Sequence, residues 1–169
     1  LLIDAMAKHL GRITQRMWAA EELRHHSIHD ALTGLYNYGF FDEELARLGR
    51  GRDFPISIIA TDVDHLKITN DQGGHAAGDT LLKRVAQVLT AVFRAEDVIA
   101  RIGGDEFAVL LPATNATVAN VLLQRVRQYI QENNATHPGT PISLSLGAST
   151  AENSASLSAA LKEDIDTIA

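Results

Sequence analysis

Two short apolar runs, residues 97–102 and 107–111, are separated by nothing but Gly103-Gly104-Asp105-Glu106. That pattern predicts a hairpin, with its glycines free to take φ > 0 and its acids at the tip. A third run, Ile56-Ser57-Ile58-Ile59-Ala60-Thr61-Asp62-Val63, has the texture of a buried strand and ends abruptly in Asp62 and Asp64. If this strand lies beside the hairpin, Asp62, Asp64, Asp105 and Glu106 meet at one end of a sheet.

The segments around these strands complete the expected fold. Residues 73–79 read as a glycine-rich loop feeding a helix, whose apolar stripe is Leu81, Leu82, Val85, Val88, Leu89 and Val92. Val118 to Ile130 is a second amphipathic helix, Ile142 to Ala148 a last strand, and 156–168 a terminal helix. Upstream, 29–37 is rich in turn formers and 40–48 has helical spacing. Both long helices cross between strands. The class is α/β (α+β), a central, mostly antiparallel sheet flanked by helices.

Residues 1–28 read as one long helix. Met6, Leu10, Ile13, Met17 and Ala20 recur at spacings of four and three, the seam of a two-stranded coiled coil. The same stripe would also serve a helix packed on its own domain. His25, His26 and His29 lie close in sequence, but adjacent histidines do not share a helical face, so no metal site is expected there. The sequence starts at Leu1, which is read as the start of a fragment, with a sensory or membrane-bound portion expected upstream.

Composition narrows the function. Of 169 residues, 46% are hydrophobic and 21% charged, ordinary for one globular domain. No stretch approaches the roughly 20 apolar residues of a membrane span. With no cysteine there are no disulfides and no thiolate chemistry, which fits a cytoplasmic location. A formal net charge of −6 without a basic block argues against a nucleic-acid surface. An anionic small substrate would be met by local charge, backbone N–H groups or a bound cation.

Singly, the acids at 62, 64, 105 and 106 read as solvated turn residues. Crowded together without matching Arg or Lys, they call for a hard divalent cation. Magnesium takes a few carboxylates together with phosphate oxygens and water, which suits a magnesium nucleotide. Glycines beside the acids let a phosphate approach the backbone.

The motifs resemble those of the GGDEF family, the diguanylate cyclases. Arg101-Ile102-Gly103-Gly104-Asp105-Glu106-Phe107 is similar to the family signature, and 29–37 (His-Asp-Ala-Leu-Thr-Gly-Leu-Tyr-Asn) to its opening motif. Residues 62–71, 74–79 and 145–147 resemble its central and late motifs, in order and spacing. The resemblance implies a palm-like fold akin to nucleotidyl cyclases and polymerases, with a GGDEF domain over 29–169. The helix over 1–28 becomes a signalling connector, faintly like the end of a GAF-type sensor.

By resemblance, Asp62 and Asp105 ligate Mg2+ (or Mn2+) through carboxylates and Val63 through its carbonyl. Asn70 and Asp79 read guanine. Lys67 contacts phosphate with backbone N–H groups near Leu66, beside Gly103 and Gly104, and Glu106 helps deprotonate a 3′-hydroxyl. The implied reaction condenses two GTP into cyclic di-GMP across a homodimer, one GTP per domain. Arg94 and Asp97 match an Arg-x-x-Asp inhibitory pattern for the product, with Arg125 or Arg127 as a second contact. A non-catalytic module binding cyclic di-GMP or GTP is the alternative.

Three departures from the family pattern stand out. Tyr38 replaces an Arg, which would loosen the opening loop, and Leu66 replaces a Phe. The sequence also ends at Ala169, before the Lys and Arg with which the family's last helix holds the triphosphate, so the domain is expected to be truncated.

Overall fold

The computed structural model describes residues 2–157. In chain order the elements are α1 (Leu2–Ile28), β1 (Tyr36–Asn37), α2 (Tyr38–Gly49), β2 (Ile56–Val63), α3 (Leu66–Gly73), α4 (His75–Val92), β3 (Val98–Arg101), β4 (Glu106–Leu111), α5 (Ala116–Thr136) and β5 (Leu144–Ala151). The predicted terminal helix lies outside the described residues except for its start, where 154–157 are helical.

The five strands form one sheet in the order β1-β3-β4-β2-β5. β4 and β5 flank β2, each antiparallel to it, and β3 pairs antiparallel with β4. Strand β3 is therefore parallel to β2 with β4 between them. The chain thus makes two interleaved β-α-β units, β2 to β3 through α3 and α4, and β4 to β5 through α5. The short β1 runs parallel to β3 and pairs Asn37 with Arg101.

Side-chain alternation sorts the core onto two faces of the sheet. Ile59, Val63, Phe107, Val109 and Leu111 pack beneath the α4 stripe and Leu123 and Val126 of α5. On the opposite face, Ile56, Ile58, Ala108 and Leu110 meet Phe41, Leu45 and Leu48 of α2. All six predicted stripe residues of α4 are buried. Strand β2, apolar toward both faces, is the spine of the domain.

Local chemistry explains the helix boundaries. The Asn37 side chain caps α2 by accepting from the Phe40 amide at 3.0 Å, and Asn115 caps α5 by accepting from Val118 at 2.9 Å. Gly74, at φ 77°, ends α3 and starts α4 in a single residue. The predicted loop over 73–79 is therefore largely helical, since α4 begins at His75.

Helix α1 is exposed along residues 11–21, including Ile13 and Ala20, with Met17 and Trp18 at 65% and 74% exposure. The described part of its seam, Ile13, Met17 and Ala20, is therefore exposed. His29 stacks on Tyr36 and Tyr36 on Phe40, with centroids 4.7 and 4.0 Å apart, and Tyr38 stands exposed. No helix among the described residues is long and apolar enough to cross a membrane.

Candidate active site

The expected meeting of strand end and hairpin occurs. Asp62 is the register partner of Glu106, and the Val63 amide donates to the Asp105 carbonyl at 2.9 Å. The hairpin closes with the Ile102 and Gly103 amides both donating to the Glu106 carbonyl, at 2.9 and 3.2 Å. Asp62 feels the crowding. Burial first, then Asp105, Glu106 and Asp64, raise its carboxyl above the usual aspartate value.

Asp64 behaves differently from the other three acids. Its carboxylate accepts from the hydroxyls of Ser143 at 2.6 Å and Ser145 at 2.8 Å, which outweigh its burial and lower its pKa. Asp64 still adds its charge to the edge formed by Asp62, Asp105 and Glu106, but its two oxygens already have hydroxyl donors. Among the described residues no three acids or histidines converge as a ready-made metal cage. That fits magnesium, which takes one or two carboxylates and completes its shell with phosphate and water. The raised carboxyl of Asp62 marks where a cation would relieve repulsion.

Beside this edge opens a cleft of about 380 Å³. It gathers Leu66, Lys67, Asn70, Asp79, Gly104 and Asp105, six of the residues singled out from sequence. Three elements supply them: α3 carries Leu66, Lys67 and Asn70, α4 carries Asp79, and the hairpin carries the last two. Arg101, His75, Gly78 and Leu82 also line it, none of them among the ligand-contacting residues expected from sequence. The Asn70 amide packs against α4 where Gly78 leaves room for it, and its Oδ1 is buried without a hydrogen-bond partner.

The hairpin glycines correct one expectation. Neither Gly103 nor Gly104 has a positive φ; among glycines only Gly34, Gly74 and Gly139 do. Their role is space. A side chain at Gly103 would collide with the Glu106 carboxylate, whereas one at Gly104 would point into open cleft. Gly104 is thus the position that leaves room for a ligand, and Gly103 seats Glu106.

Two features had no signal in local sequence. Arg101 donates to the Gly104 carbonyl at 2.6 Å and pairs with Asp30 at 3.3 Å, fastening the opening turn to the hairpin. Asp30 also accepts from the Thr33 amide and hydroxyl, at 2.8 and 2.7 Å. An ion pair therefore does exist at the opening loop despite Tyr38. Away from the cleft, Asp97 accepts from the Arg94 amide at 2.9 Å, and burial raises its carboxyl. Arg94 is exposed, as is Arg125 on α5.

A split β-α-β sheet with carboxylates on adjacent strand ends beside a cleft is a palm-like α+β fold. The family model described as "Diguanylate cyclase, GGDEF domain" matches residues 27–168, and the chain belongs to that family. It is 41% identical over 133 residues to diguanylate cyclase DgcP of Pseudomonas aeruginosa, covering 76% of this chain and 20% of that protein. It is 36% identical over 117 residues to the probable diguanylate cyclase DgcE of Escherichia coli, covering 68% of this chain and 11% of that one. The chain thus spans a fifth or less of these two relatives.

Solved structures agree on the fold. The coiled coil and GGDEF domain of DgcB from Caulobacter crescentus, in complex with c-di-GMP, matches with a TM-score of 0.81 at 27% identity, covering 94% of this chain and 88% of that one. Diguanylate cyclase SiaD of Pseudomonas aeruginosa, in complex with its activator SiaC, matches at 0.72 and 29% identity, over 97% and 67%.

Proposed function

We propose that this domain condenses two GTP into cyclic di-GMP, releasing two pyrophosphates. The observation that supports the reading is one cleft with an acidic edge at the hairpin, lined by Asn70 of α3 and Asp79 of α4. Asn70 and Asp79 face the guanine edge, Asp79 accepting from its N–H groups. Lys67 and the amides near Leu66 hold phosphate, and Gly104 leaves room for it. Asp62, Asp105 and the Val63 carbonyl would hold Mg2+ or Mn2+. A divalent ion there supplies charge neutralisation and in-line orientation.

Glu106 accepts the 3′-hydroxyl proton as that oxygen bonds the α-phosphorus and the bond to pyrophosphate breaks. Each domain holds one GTP, so two domains face each other during the reaction. The exposed apolar seam of α1 supports a parallel homodimer, and a connector to an upstream sensor, with 29–169 as the cyclase domain. A cytoplasmic location follows from the substrate. Cyclic di-GMP would inhibit through Arg94 and Asp97, with Arg125 as a second contact.

The test is incubation with GTP and magnesium, with products resolved by chromatography. Cyclic di-GMP is expected, lost in Glu106→Gln and Asp105→Asn. A confirmed dimer that yields no cyclic dinucleotide would leave only a binding module. Product inhibition should disappear in Arg94→Ala.

A further inference from the structure

We infer that Asp64 is a positioning residue, latched by Ser143 and Ser145 so that it fixes the turn presenting Leu66 and Lys67. Its consequence for GTP rests on the proposed function; the latch itself does not. Asp64 follows Asp62 by two residues, so strand alternation would set it on the same side and add a fourth charge to the acidic edge. The serines, about 80 positions away in sequence, hold that carboxylate in one place. Their hydroxyls donate at 2.6 and 2.8 Å to the two carboxylate oxygens, and the Asp64 amide donates to the Ser143 carbonyl at 3.0 Å.

The turn needs such holding. His65 sits at φ 62°, a left-handed conformation that a non-glycine residue keeps only when its surroundings impose it. Downstream, the Thr69 amide and hydroxyl donate to the His65 carbonyl at 3.0 and 3.2 Å. Upstream, Val63 is held by its amide bond to the Asp105 carbonyl, and the Asp64 latch restrains the residue next to the turn. Leu66 and Lys67 follow directly, so their placement inherits the precision of the latch.

Two measurements on the whole chain test this. Without nucleotide, Ser143→Ala/Ser145→Ala should speed hydrogen exchange of the Asp64 and Thr69 amides about tenfold or more, leaving the α4 core amides unchanged. With magnesium, the same pair should weaken binding of 3′-deoxy-GTP, which cannot condense, by about tenfold. Asp64→Asn should do likewise, and the triple variant should lose no more than either. Ser143→Thr/Ser145→Thr, retaining both hydroxyls, should restore both values. Unchanged exchange in the alanine pair overturns the latch. So does a neutral alanine pair beside a deleterious Asp64→Asn, which would make Asp64 a direct ligand. If the parent chain binds no 3′-deoxy-GTP, the GTP reading falls while the exchange result still decides the latch.

Discussion

The guanidinium of Arg101 lies 3.3 Å from both carboxylate oxygens of Asp30 while it donates to the Gly104 carbonyl at 2.6 Å. One side chain thus ties the turn that follows α1 to the hairpin that carries Asp105. A change in how α1 enters the domain has a short mechanical route to the acidic edge.

Asp30→Ala should therefore destabilise the domain by about 1–3 kcal/mol at neutral pH, because Arg101 loses its ion-pair partner and two Thr33 donors lose their acceptor. Burial is the largest single influence on Asp30 and raises its pKa. The bonds from Thr33 and the charge of Arg101 together outweigh it and leave the folded pKa below 3.8. A lowered folded value means stability present above the unfolded pKa and lost as pH falls through the folded one. Denaturant unfolding should show parent and variant differing at pH 7 and converging in acid. A constant gap across that range would remove the ion pair as its cause.

What could be read in the sequence was periodic or terminal. The apolar run of β2, the α4 stripe and the hairpin were legible because burial repeats along each element. Helix α3 was missed because only Thr69 of its eight residues is buried, leaving no apolar period to detect. Strand β1, two residues long, is held by pairing with β3 and by a bridge from Tyr36 to His29, neither of which a local pattern announces. The grip of Ser143 and Ser145 on Asp64 depends on β5 lying beside β2, a register that no local pattern announces. For the same reason the space at Gly103 was assigned to a phosphate when the neighbouring carboxylate fills it.

Asp62→Asn should abolish cyclisation yet stabilise the nucleotide-free fold. Burial and three neighbouring acids raise the Asp62 pKa in the folded state. A raised folded value contributes stability below the unfolded pKa and loses it as pH climbs through the folded one. The ionised parent is therefore the strained form at neutral pH. The variant should gain up to about 1 kcal/mol at pH 7, since solvent screens a half-exposed group, and nothing below the carboxylate range. Thermal unfolding against pH measures it; a variant less stable at pH 7 would contradict the crowding.

Gly103→Ala and Gly104→Ala should separate turnover from binding. Neither backbone has a positive φ, so alanine brings no conformational penalty at either place. At 103 the new methyl meets the Glu106 carboxylate and must displace it. The rate should fall about tenfold or more with GTP affinity largely kept. At 104 the methyl meets no protein atom but occupies cleft. There KM should rise with Tm unchanged. Equal profiles for the two variants would refute the division of labour.

Thr61 offers a stabilising change next door to Asp62. It is 1% exposed on β2, and its hydroxyl has no hydrogen-bond partner, in a sheet face otherwise built from Ile59, Val63 and Phe107. Removing water from a hydroxyl without replacing the bond costs about 1–3 kcal/mol. Valine keeps the branched shape and β-propensity while deleting the oxygen that has no partner. Thr61→Val should thus raise stability by about 1 kcal/mol in denaturant unfolding. Because the side chain faces the α4 and α5 layer rather than the cleft, kcat and KM should stay within about twofold of the parent. Loss of stability would mean that the hydroxyl is bonded in solution, and loss of activity alone would place Thr61 among the groups that position Asp62.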